Sequence, residues 1–157
     1  MTYAPAPQLG KPAGAAPLSR PLYGASLPQA FARFWQKYAT FSGRASRSEF
    51  WWWHLIHVLV IVAIIAFMIA GGIAGATVDP VTGKSEPGFL LGVGTAVLVL
   101  WELVTVVPLL ALYWRRLHDA DFAGPFYFLN LIAGLGGIVV LVLVLLPANP
   151  RGARFDR

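Results

Sequence analysis

The sequence contains no cysteine, which excludes a disulfide framework, thiolate metal ligation and a thiol nucleophile. Charge is scarce as well. Only 12% of its 157 residues are Asp, Glu, Lys or Arg, whereas soluble domains carry about a quarter. No Gly-x-Ser-x-Gly turn, phosphate-cradling glycine loop or carboxylate pair at hydrolase spacing occurs, so the common nucleophilic, phosphoryl-transfer and glycosidic chemistries have no motif here. The N-terminus lacks an apolar stretch of the kind a cleaved signal peptide uses. The first apolar run is expected to act as its own insertion signal.

What the chain does have is apolar length. Hydrophobic residues make up 57% of it, and the mean hydropathy is +0.66. No charged residue lies between Phe50 and Val78 or between Phe122 and Pro150, and Glu102 is the only one between Pro87 and Trp114. A hydrocarbon core about 30 Å thick needs about 20 residues of helix. The fold class read from this is all-α: an integral membrane helical bundle of about three spans, near 50–72, 89–113 and 126–146. A soluble domain would have too little polar sequence to cover three such runs. A break at Ala133-Gly134-Leu135-Gly136-Gly137 offers an alternative, in which the third run is a hairpin that turns back.

Residues 1–28 hold six of the twelve prolines and read as a disordered tail. In residues 29–41, Phe31, Phe34, Trp35 and Tyr38 recur at helical spacing, with Arg33 and Lys37 off that face. The pattern suits a helix in the headgroup layer, or one packed on the ends of the spans. Ser46 and Glu49 form a capping box that starts the first span, followed by Trp51, Trp52 and Trp53 at the interface. The breaker-rich stretch from Gly71 to Gly88 reads as an external loop. Gly71-x-x-x-Gly75 and Gly72-x-x-x-Ala76 permit close helix approach.

The net charge is +5. Lys11, Arg20, Arg33, Lys37, Arg44 and Arg47 all precede the first span, as the positive-inside bias of a cytoplasmic N-terminus requires. Anionic lipid is therefore the expected counter-charge, and nucleic acid is not expected.

Two motifs carry a resemblance. Gly43-Arg44-x-x-Arg47-x-Glu49-Phe50-Trp51 opens the first run, and Arg115-Arg116-Leu117-His118-Asp119 closes the second. Together they resemble the YhaH-like small bacterial inner-membrane proteins, a family of unknown function (DUF-805). The resemblance spans roughly residues 34–155 and implies a bacterial inner-membrane location with no activity attached. The loop Ala120-Asp121-Phe122-Ala123-Gly124-Pro125 lacks the basic residue common in the family, and the tail Ala153-Arg154-Phe155-Asp156 keeps only its Arg-Phe.

Arg44, Arg47, Arg115 and Arg116 are the headgroup-binding candidates, because a guanidinium fork suits phosphate. The alternative is a structural cluster with Asp119 or Glu49 as partner. Glu102 is the intramembrane candidate, either a proton or ion relay or a neutral acid bonded to a neighbouring helix. His54 and His57 share a face as a weak metal half-site. No metal, cofactor or catalytic residue is expected. The function expected is a non-enzymatic envelope or lipid-associated interaction component, with a small channel or transporter subunit using Glu102 as the alternative. Three helices bury little surface, so a homo-oligomer or another membrane protein is expected as partner.

Overall fold

The structure is a computed structural model that describes residues 17–156 except residue 19. Four α-helices are present: α1 Leu27–Gln36, α2 Arg47–Ala74, α3 Phe89–Asp119 and α4 Gly136–Leu145. Short 3-10 helices cover Gly124–Leu131 and Pro150–Phe155, and a two-residue hairpin pairs β1 Thr77–Val78 with β2 Ser85–Glu86.

Helices α2 and α3 have 28 and 31 residues, or roughly 42 and 46 Å of axis at ~1.5 Å per residue. Both are long and apolar enough to cross a membrane. They form an antiparallel pair joined by the β1–β2 hairpin. Gly71 sets their approach there: a Cβ on it would stand 2.5 Å from the Leu90 Cβ. Large apolar side chains such as Leu59, Val62, Ile69, Leu100 and Leu103 are exposed along both helices. In water such a surface would not persist, and in lipid it costs nothing.

The core lies at one end. Phe34, Ala45, Phe50, Trp53, Leu112, Leu117, Val140 and Val144 form it, drawn from all four helices and, for Ala45, from the segment just before α2. This end also holds the basic residues, and is called the basic end below. Toward the β1–β2 hairpin, among the described residues, α2 and α3 pack on each other alone.

The third apolar run departs from the span expected over 126–146. It enters as the 3-10 helix Gly124–Leu131, reverses at 132–135, and returns as α4. Gly134 takes φ +84° in the reversal. The 10 residues of α4 cover roughly 15 Å, about half a hydrocarbon core. Gly134 in its left-handed conformation, with the glycines at 136 and 137, breaks the run into two pieces. The hairpin alternative therefore describes this run. The segment after α4 lies back at the basic end, where Asn149 N–H donates to the Asp119 carbonyl at 2.7 Å.

Helix α1 also differs from expectation. It is shorter than 29–41, and its buried residues are Ala30, Arg33 and Phe34, with Lys37 buried just beyond its end. Phe31 and Tyr38 are exposed instead. The inward face is turned by one residue from the aromatic one, so the cations point into the bundle and two aromatics point out. The cause is the carboxylate of Glu49, which pairs with Arg33. The outward aromatics suit lipid, where no hydrophobic penalty opposes their exposure.

Within the expected disordered tail, residues 1–16 lie outside the described residues, but residues 20–26 are strapped down. Leu22 and Ala25 are buried. Leu22 N–H donates to Glu49 Oε2 at 3.1 Å, Ala25 N–H to Ser48 Oγ at 2.9 Å, and Ser46 Oγ to the Leu22 carbonyl at 2.6 Å. Local composition could not show partners that lie about 25 residues away.

Candidate functional site, the basic end and the intramembrane pair

The capping box forms as the sequence predicts. Glu49 N–H donates to Ser46 Oγ at 3.2 Å, and Ser46 N–H donates to Glu49 Oε2 at 2.8 Å. Glu49 thus starts α2, receives the Leu22 strap, and pairs with Arg33 through its other oxygen. It is buried beside three cations: Arg33, Lys37 and Arg115. Lys37 Nζ and Arg115 Nη2 have no hydrogen-bond partner among the described residues. Burial, then the neighbouring Arg115 charge, pushes the Lys37 ammonium down to about 8.

A second network is centred on Asp119, which is fully buried. Its Oδ2 accepts from Arg116 Nη1 at 2.7 Å, and its Oδ1 accepts from Tyr23 Oη at 2.8 Å. Burial and the Asp119 carboxylate push the Tyr23 hydroxyl up to about 12. Arg44 Nη1 lies 3.9 Å from Asp119 Oδ1. The Arg44 guanidinium forks onto Asp156, with contacts of 2.7, 3.0 and 3.1 Å.

The two motifs meet directly. Ala45 N–H donates to the Arg115 carbonyl at 2.9 Å. Gly43, at φ +78°, a backbone conformation that favours glycine, places its carbonyl 3.1 Å from His118 Nδ1. Its N–H donates to the Phe155 carbonyl at 2.7 Å. The Phe155 ring stacks on His118 at 3.9 Å. The Arg-Phe of the tail is therefore part of the same assembly, through Phe155.

Three of the four headgroup candidates are turned inward. Arg115 and Arg116 are buried, and Arg44 is half-buried against Asp156. Arg116 Nε donates to the Val144 carbonyl at 2.9 Å, and Nη2 to that of Leu146. Arg47 Nε donates to the Leu146 carbonyl at 3.1 Å, and Nη2 to that of Leu145. Two guanidiniums thus cap the carbonyl end of α4, where no intrahelical donor exists. Only Arg47 is exposed, and it has no carboxylate partner among the described residues.

Deeper along the pair, Glu102 lies 3.6 Å from His57, Oε1 to Nε2. Trp101 Nε1–H donates to His57 Nδ1 at 3.2 Å, so the imidazole proton sits on Nε2, toward Glu102. The Glu102 side chain is 47% exposed. His54 does not join this group: its nitrogens meet the Phe50 carbonyl at 2.9 Å and Tyr113 Oη at 3.0 Å. Among the described residues, no three metal-ligating side chains cluster.

Several working residues escaped sequence reasoning. Tyr23 and Asp156 gave no signal, because their partners lie about 100 residues away. Tyr38 had one. Pro108 lies inside α3 and has no N–H, so the Val104 carbonyl, four residues earlier, loses its helical donor. Tyr38 Oη supplies it at 2.7 Å.

Comparison with known proteins places the chain in a family of membrane proteins. The profile described as "Protein of unknown function (DUF805)" matches residues 38–157. Inner membrane protein YhaI of Escherichia coli strain K12 is 33% identical over 108 residues, covering 68% of this chain and 75% of that protein. Inner membrane protein YhaH of the same strain is 27% identical over 121 residues, covering 76% and 87%. No solved structure matches. The matched region takes in both arginine motifs, the two long helices and the returning tail, and the chain belongs to the DUF805 family of membrane proteins.

Proposed function

We propose that this protein is a non-enzymatic, multi-pass component of the bacterial inner membrane. In this reading its basic end lies in the cytoplasm and associates with anionic lipid headgroups. One observation carries it: among the described residues, every exposed cation except Lys84 lies at the basic end, namely Arg20, Arg47, Arg151 and Arg154. Such a ring attracts an anionic leaflet by about 1 kcal/mol per residue near the surface. The inner arginines hold the fold, and the outer ones meet lipid. The bare outer halves of α2 and α3 support a homo-oligomer or another membrane protein as partner. Native mass spectrometry of the detergent-released protein tests the lipid reading. Wild type should retain phosphatidylglycerol or cardiolipin, and a variant with Arg20, Arg151 and Arg154 changed to Gln should retain less. Equal retention would reduce these residues to topology signals.

A second reading rests on His57–Glu102. A carboxyl half-exposed in a span, facing an imidazole N–H, is the kind of pair that proton-coupled proteins use. Ion or proton flux in liposomes that disappears in Glu102→Gln would support a channel or transporter subunit. Flux absent from wild type would remove that reading.

A further inference from the structure

A cavity of about 310 Å³ opens at the basic end between the strap, the start of α2 and the segment after α4. Its polar lining is Tyr23, Ser46, Arg47, Ser48 and Asp119. A second hollow of about 230 Å³ runs down the outside of α2, lined by Ser48, Trp51, Trp52 and Leu55. Ser48 belongs to both. The two hollows therefore adjoin, with the polar one at the helix start and the apolar one along the span. Trp51, Trp52 and Leu55 are exposed in the chain alone.

We infer that these joined hollows seat one phospholipid, with its phosphate at Arg47 and Ser48 and an acyl chain along Trp51, Trp52 and Leu55. The inference rests on the proposed reading that the basic end meets headgroups. It narrows a diffuse attraction to one place. Arg47 is the cation fitted for the phosphate, because its charge has no carboxylate partner among the described residues. Two of its nitrogens are committed to α4 carbonyls, Nε and Nη2, and Nη1 has no hydrogen bond there. The lining also holds an accessible acceptor. Tyr23 is exposed, its Oη donates to the buried Asp119 Oδ1, and the phenol oxygen keeps its acceptor capacity. The seat therefore suits a headgroup that carries hydrogen-bond donors, such as an ammonium or hydroxyls. A trimethylated choline has none to give.

The test is native mass spectrometry of the full chain after exchange into detergent with phosphatidylethanolamine, phosphatidylglycerol or phosphatidylcholine. Soluble glycerophosphoethanolamine serves as the competitor. One ethanolamine or glycerol lipid should stay bound per chain, and choline lipid should not. Arg47→Gln should lower retention about tenfold, as loss of one charge-assisted phosphate contact implies. Leu55→Trp, which fills the groove and leaves Arg47 in place, should also release the lipid with thermal unfolding unchanged. The competitor should fail to displace it, because the groove holds the chain. Changing Arg20, Arg151 and Arg154 to Gln should leave this one lipid bound and remove only loosely held ones. Equal retention of choline lipid, full displacement by the competitor, or retention untouched in both Arg47→Gln and Leu55→Trp would overturn the seat while leaving the broader headgroup reading intact. No retained lipid of any kind would overturn both.

Discussion

Glu49→Gln is the perturbation that bears most directly on the basic end. Glu49 is 3% exposed and is the carboxylate that faces Arg33, Lys37 and Arg115. The glutamine keeps the size and one carbonyl oxygen, which still serves Ser46 or Leu22. It removes the charge and turns an amide donor toward the cations. Breaking one side of a buried pair costs about 3–5 kcal/mol, mostly because the partner charge stays buried. The expected loss is at the upper part of that range, since three cations share this acid. Equilibrium unfolding in mixed micelles, followed by tryptophan fluorescence, reads it directly, because Trp53 stacks on Phe34 of α1 at 3.3 Å. The double variant Glu49→Gln/Arg33→Met should cost less than the sum of the singles, by about 2–3 kcal/mol of coupling. A loss below about 1 kcal/mol, or strict additivity, would refute the argument that one acid anchors this end.

Two further predictions concern α1 and the turn after it. Lys37 has its pKa lowered from 10.5 to about 8, so between those values the unfolded chain binds more protons and stability rises with pH. The gain is about 3–4 kcal/mol at ~1.36 kcal/mol per unit. It is complete above the unfolded value and absent below the folded one. Lys37→Met should flatten that rise and be more stable than wild type at neutral pH; a rise unchanged in the variant would assign it to another group. Tyr38→Phe removes the donor to the Val104 carbonyl, which should cost about 1–2 kcal/mol. Wild-type stability in the variant would mean that this carbonyl finds another donor.

How much of this was legible varied by element. The capping box and the two long helices follow from local spacing, and both formed. The meeting of Gly43 with His118 was not legible: it depends on antiparallel packing that brings positions 75 residues apart together. The inward face of α1 was not legible, because it is set by Glu49, which pairs with Arg33 from the start of the next helix, and the spacing within 29–41 carries no sign of that partner. The reversal at 132–135 had its glycines in view, but hydropathy alone measures length and not continuity. The arginines were correctly grouped at one end. Which of them face inward depends on Asp119, Asp156 and the carbonyls of α4, and no local signal supplies those.

The central claim is that the third apolar run turns back and returns the tail to the end where the chain begins its first span. The absence of native cysteine makes this measurable by single-cysteine labelling in intact spheroplasts. Thr82 in the β1–β2 loop and Ala153 in the tail are both exposed. Thr82→Cys should react with a membrane-impermeant maleimide from outside, and Ala153→Cys should react only after permeabilisation. Ala153→Cys labelled in intact spheroplasts together with Thr82→Cys would contradict the account.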